Sequence, residues 1–376
     1  MLMENCPIIN INIRIWLFWG YLRQTKWFSY LFGCIPVAIL NVFQFMNVLK
    51  MAFSGEGDID SITKDGFFTV LYFNLVLRTG CLVINRRKFE RFFEGISAEY
   101  EQLEKHSNIR SILDARTRQA RVLSKTNLYL GALMTTCFSL YPLFSAERVL
   151  PYGVFIPGID VHATPIYEIV FFLEFYLTIP ACCMYIPFTS FYCTCSQFGL
   201  VRIAALKQSL QKLHQHNWSE QALIAKLKQC LEYHKEIIKY VSDLNELIAY
   251  IFLLELLICG TMLCALLFIL NLSNQLTQIA MICSYLLTLL LQLFALYWHS
   301  NEIREQSLEI GDWLYYNSAW LDFSVPVKKM ILLMIARTQR PLVIKNGNVY
   351  PMTLETFQSL LNTSYSYYTI LRRVYK

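Results

Sequence analysis

The feature that most limits this chain is a series of apolar runs long enough to cross a bilayer, which takes roughly 20 mostly apolar residues. Six are plain, at about 28–52, 66–85, 126–149, 165–194, 247–272 and 276–299, and a more polar seventh covers about 353–373. Only 16% of the 376 residues are charged, against about a quarter in an ordinary soluble domain. Trp27, Tyr72, Tyr285, Tyr297 and Trp298 sit where aromatic residues gather near membrane interfaces. The expected fold class is an all-α membrane protein with seven transmembrane helices.

Lys and Arg set the orientation. Three fall before residue 28, ten in 86–125, seven in 195–246 and six in 300–352; the loops 53–65 and 273–275 and the stretch leading into 150–164 carry one, none and one. Cytoplasmic segments carry the excess. The N-terminus is therefore expected in the cytoplasm and the C-terminus outside. Arg372, Arg373 and Lys376 run against the pattern, although late charges steer orientation less than early ones. The first 27 residues lack a basic start followed by a cleavage site, so no cleaved leader is expected. None of the twelve cysteines falls in the loops placed outside, so no extracellular disulfide is expected.

The expected organisation has four parts: a cytoplasmic N-terminus (1–27), a six-helix region (28–299), cytoplasmic anchor helices (300–352) and a last helix (353–376). Inside the second part, 195–246 carries helical periodicity. Ile203, Leu206, Leu210 and Leu213 recur at that spacing, as do Leu223, Leu227, Leu231, Ile238, Val241, Leu244 and Ile248. These predict amphipathic helices extending the fourth and fifth spans into the cytoplasm. They could pack on their own chain alone or join several subunits. The pattern after the sixth span is again helical up to Pro341, and KNGNVYP supplies a turn through Asn346 and Gly347. Thr353 is placed to cap the last helix, with Glu355 in its first turn.

In that last helix, Thr356, Ser359, Thr363, Ser366, Ile370 and Val374 follow steps of three and four and share one face. Two readings stand. Several copies around an axis could wet a conduit with the hydroxyls and close it at Ile370 and Val374, an apolar constriction that gates by dewetting. Alternatively, small hydroxylated residues mediate ordinary packing between membrane helices.

LPYGVFIPGIDVHATPIYEIV before the fourth span, YWHSNEIREQSLEIGDWLYYNSAW after the sixth, KKMILLMIARTQRP and the terminal SYSYYTILRR, on the inverted seven-span plan, resemble the insect odorant receptors over essentially the whole chain. Ser366-Tyr367 and Arg373-Val374 stand where the related gustatory receptors carry TY and QF, which favours the odorant branch. The resemblance implies a ligand-gated non-selective cation channel: a heterotetramer of a tuning subunit with a shared odorant co-receptor, in the plasma membrane of olfactory sensory neuron dendrites. It places the pore on the last helix, with the hydrophobic gate at Ile370, Val374 one turn further out, and Thr363 and Ser366 lining the conduit. Arg373 stands where the family has a glutamine; a ring of four arginines would oppose cations, which puts conduction by this chain alone in doubt. The resemblance also places a small volatile odorant between the second, third, fourth and sixth spans. The aromatic and soft residues there are Phe67, Phe68, Tyr72, Phe138, Tyr141, Tyr167, Phe171, Phe172, Phe175, Met281 and Tyr285.

Arg78 in the second span and Glu168 and Glu174 in the fourth are ionisable residues inside spans. Each should face protein or water, and Arg78 could pair with Glu174. His214, His216 and His234 lack ligand spacing, and no acid pair, phosphate loop or nucleophile motif occurs, so neither an enzyme nor a cofactor or metal is expected; nor is a nucleic-acid partner. Other classes of machine remain: a G-protein-coupled chemoreceptor, disfavoured by the charge pattern and the missing DRY-like motif; a gustatory receptor channel; and a transporter, which would show an internal repeat.

Overall fold

A computed structural model of the chain describes residues 6–22, 31, 33–54, 59–144, 148–215, 218–272, 276–317 and 320–374. Its helices are α1 (Asn10–Phe18), α2 (Cys34–Ser54), α3 (Ile59–Ile84), α4 (Arg86–Glu104), α5 (Ser107–Leu140), α6 (Ile166–Gln215), α7 (Glu220–Leu272), α8 (Leu276–Asn317), α9 (Val325–Thr338) and α10 (Leu354–Val374). A two-stranded hairpin, Lys345–Asn346 with Tyr350–Pro351, joins α9 to α10.

The expected extensions of the fourth and fifth spans are present, and they are unbroken: α6 has 50 residues and α7 has 53. At 1.5 Å per residue each runs about 75–80 Å, more than twice the ~30 Å hydrocarbon core of a bilayer. Among the described residues, five helices are long and apolar enough to cross a membrane, within α2, α3, α6, α7 and α8. The expected third and seventh spans are helical but fall below that mark. After the charged stretch that ends at Lys125, α5 has only 126–140 before it stops. The helix α10 spends its length on Ser, Thr and Tyr.

Beyond the spans, the long helices continue as a packed sheath. Trp16 of α1 meets Phe93 of α4 and Phe188 and Phe191 of α6, with ring centroids 5.4–6.3 Å apart, and Phe89 and Phe93 close on Phe191. All five rings are buried. Ion pairs tie the helices across this region. Arg202 Nε lies 2.6 Å from Glu99 Oε1, Arg116 lies 2.9 Å from Glu302, and Lys207 lies 2.8 Å from Glu309. Burial pushes the Glu99 carboxyl above its usual value despite the arginine beside it.

The α9 helix ends before Pro341 as its sequence predicts, and the hairpin turns through Gly347 and Asn348, both at positive φ. Gly347 N donates to Ala249 O and Asn346 Nδ2 to Tyr297 Oη, which seats the hairpin on α7 and α8. Thr353 Oγ1 accepts from Thr356 N at 3.3 Å, the cap anticipated for the last helix. The start of α10 is thereby fixed to two membrane-crossing helices.

Candidate functional site

Near the ends of α3, α5, α6 and α8 opposite the sheath, the bundle encloses a cavity of about 100 Å³. One water needs only about 10–15 Å³ on this measure, so the space suits a compact organic molecule. Its wall combines Phe67, Leu71, Tyr72 and Leu75 of α3, Gly131, Met134 and Thr135 of α5, and Thr178, Ala181, Cys182, Tyr185 and Ile186 of α6. Met262 of α7 and Tyr285, Thr288, Leu289 and Gln292 of α8 complete it, with Tyr152 from the segment before α6. None of these side chains is charged. A neutral, mainly apolar guest would gain by dispersion and desolvation, and the hydroxyls could fix its orientation.

Tyr152 closes the end of the cavity away from the sheath. Its ring packs on Phe68, Tyr72 and Phe138, with centroids 5.2–6.3 Å away, while its hydroxyl bonds Ser139 at 2.7 Å and Thr178 at 3.0 Å. Its backbone N donates to Glu174 Oε2 at 3.2 Å. The segment is therefore held to α5 and α6 by hydrogen bonds buried among rings.

Of the residues expected to meet a ligand, Phe67, Tyr72 and Tyr285 line the cavity. Phe68 and Phe138 stand one layer behind, stacked edge-on against Tyr285 with centroids at 6.1 and 5.2 Å. Tyr167 and Phe171 pair with each other away from the cavity, Phe175 and Met281 do not reach it, and Phe172 is 68% exposed on the outside of the bundle. The Tyr141 side chain lies outside the described residues. Sequence reasoning missed Tyr152, Tyr185, Thr178 and Gln292. Tyr152 belongs to the segment before the fourth span, where no helical periodicity marks a residue as facing the core.

The expected partner of Arg78 needs correction. Glu174 is taken up by Tyr152, and Arg78 instead pairs with Glu255 of α7, Nη1 to Oε2 at 3.1 Å, with both side chains buried. Asn74 donates to the same carboxylate at 3.1 Å, and the guanidinium lies over the rings of Tyr185 and Phe188 at 4.8 and 4.5 Å. Glu255 is a further ionisable residue inside a span. As a lone acid in the run 247–272 it could have been flagged by the cost of a charge in hydrocarbon.

The α10 helix has two unlike faces. Phe357, Leu360 and Leu361 pack on the core, Phe357 against Phe294 and Tyr297 of α8, and Cys264 of α7 reaches Ser364 O. On the other face Ser359, Thr363, Ser366 and Ile370 are exposed, Ile370 by 57%. Thr363 and Ser366 donate to the carbonyls of Ser359 and Asn362, each at 2.8 Å, so these hydroxyls are satisfied within the helix. Arg373 is exposed, while the Val374 side chain lies outside the described residues.

A neutral, mainly apolar cavity inside a bundle of helices long and apolar enough to cross a membrane suits the binding of a small apolar molecule. The sequence comparisons identify the class of protein. A family model for the 7tm Odorant receptor matches residues 58–365, and the chain belongs to that family, whose members are receptors of olfaction and not enzymes. It is 60% identical to odorant receptor Or2 of Anopheles gambiae over the full length of both chains, and 45% identical to odorant receptor 10 of Aedes albopictus over 99% of this chain and 98% of that one. Its fold is similar to that of the olfactory receptor OR5 of Machilis hrabei in complex with eugenol, with a TM-score of 0.80 at 18% identity, covering 98% and 97% of the two chains.

Proposed function

We propose that this chain is the odorant-tuned subunit of a ligand-gated, non-selective cation channel assembled with a shared co-receptor in the plasma membrane of olfactory sensory neuron dendrites. The chain crosses the membrane seven times, with α5 and α10 as the third and seventh crossings, the N-terminus cytoplasmic and the C-terminus outside. Residues 1–27, 28–299, 300–352 and 353–376 serve as N-terminal segment, ligand-binding region, anchor and pore helix. The odorant occupies the cavity walled by Tyr72, Tyr152, Tyr185 and Tyr285; the OR5 complex with eugenol supports a small-molecule guest in this fold.

One observation carries the reading. The helices that wall the cavity, through Met262 on α7 and Tyr285 and Thr288 on α8, are the ones that hold α10. A guest that biases α7 and α8 therefore biases the pore helix, the two-state coupling that gating requires. In this reading Thr363 and Ser366, on the free face of α10, line the conduit and Ile370 forms its constriction, with Val374 one turn beyond.

The test is whole-cell current during odorant application, with and without the co-receptor and with G-protein signalling blocked. Fast inward current that needs the co-receptor, and whose ion selectivity changes with Ile370→Ala or Arg373→Gln, is expected. Responses that vanish under the G-protein block would overturn the channel assignment.

A further inference from the structure

The cavity is sealed on one side and has a neighbour on the other. Its end away from the sheath is covered by the segment around Tyr152, whose backbone and hydroxyl are bonded to α5 and α6 as described above. Further pins hold that segment down: Leu150, Val154 and Val161 are buried, Phe155 N donates to Phe43 O at 3.3 Å, and Lys50 lies over the Phe155 ring at 4.5 Å. Gly153 has a φ of 60° and the Asp65 carboxylate fills the place where a β-carbon would stand. Opening this end would break buried hydrogen bonds and lift several apolar side chains together.

Toward the sheath, a larger groove of about 490 Å³ lies between α5, α6 and α8. It shares four residues with the cavity: Gly131, Met134, Thr288 and Gln292. Its mouth is bordered by Leu130, Leu287, Leu291, Phe294 and Trp298, all exposed on the outside of the bundle and within the expected third and sixth spans. We propose that this groove is the entrance through which odorants, dissolved first in the bilayer, reach the cavity. The class of molecule is neutral and largely apolar, able to partition into lipid. The proposal rests on the cavity being the odorant site.

The neck is built for passage. A β-carbon at position 131 would collide with Ile186 Cδ1, so the glycine leaves room for the Ile186 side chain where α5 faces α6. Met134 beside it is unbranched, with three rotatable bonds, and can swing aside at little cost. Asn127 and Ser190 in the groove wall are bonded to each other, Asn127 Nδ2 donating to Ser190 Oγ at 2.9 Å.

A barrier on a path slows entry and exit by the same factor and leaves equilibrium affinity unchanged, which separates an entrance from a binding wall. The experiment is rapid odorant exchange on cells expressing the chain with the co-receptor, reading current onset, decay and half-maximal concentration. Leu130→Trp and Leu291→Trp fill the mouth from its exposed edge without touching the cavity. Each is expected to slow onset and decay alike, three- to tenfold, with the half-maximal concentration within twofold. Unchanged rates in both tryptophan variants, while Tyr285→Ala shifts the half-maximal concentration, would overturn the entrance and leave the cavity assignment standing. If Tyr285→Ala also has no effect, the cavity assignment falls and the entrance with it.

Discussion

The two ends of the helix bundle are built from the same residue types and do opposite things. At the sheath end, Trp16, Phe89, Phe93, Phe188 and Phe191 interlock and are each essentially inaccessible. At the other end Phe67, Tyr72, Tyr152 and Tyr285 also meet ring to ring, yet leave about 100 Å³ open. Aromatic content does not tell core from site. The difference is that the first cluster is filled by a third element, α1, whereas the second is roofed by a chain segment that contributes one ring and a set of hydrogen bonds.

The sharpest way to break this comparison is to empty the filled end. Trp16→Ala removes a fully buried indole from between α4 and α6 and should cost about 3–5 kcal/mol. The expected outcome is loss of surface-expressed protein, measured by surface labelling against total protein. Next in size is the buried pair between the two ends. Glu255→Ala strands the Arg78 guanidinium among Tyr185 and Phe188, and losing one partner of a buried pair costs about 3–5 kcal/mol. Surface level should fall strongly in Glu255→Ala and in Arg78→Ala, and the double Arg78→Met, Glu255→Met should recover much of it, because no buried charge is then left alone.

At the open end the same kind of truncation should act on response and spare assembly. Tyr285→Ala is expected to leave surface level near wild type while shifting the odorant half-maximal concentration about tenfold, a change of ~1.4 kcal/mol. The smallest effect is expected at Phe172, which sequence reasoning put in the site and which the fold turns outward. Phe172→Ala should change the half-maximal concentration by less than twofold. A shift at Phe172 comparable to that at Tyr285 would show that the two ends do not differ as described.

Much of the architecture was readable from the chain because hydropathy and helical period act locally. The long helices, the cap at Thr353, the stop before Pro341 and the turn at Gly347 all depend on neighbours within a few residues. The site was legible only in part, for a reason visible in particular residues. Tyr285 and Phe172 look alike in a sequence, and which one points inward depends on the rotation of α8 and α6 against their neighbours. Tyr152 enters the wall because a loop folds back over the bundle, and no periodicity announces that. The partner of Arg78 was missed because Glu174 looked available, and its capture by Tyr152 N is a long-range fact. Steps of three and four put Ser359, Thr363, Ser366 and Ile370 of α10 on one face; that this face is left free by the chain's own packing depends on α7 and α8.

The most direct test of the central claim is to record odorant-evoked current with G-protein signalling blocked. Cells would carry the co-receptor with the wild-type chain, with Tyr285→Ala, or with Ile370→Ala. The account predicts fast current for all three, a raised half-maximal concentration for Tyr285→Ala with unaltered ion selectivity, and altered selectivity or leak for Ile370→Ala with little change in half-maximal concentration. Current abolished by the G-protein block, or both variants indistinguishable from wild type at equal surface level, would contradict it.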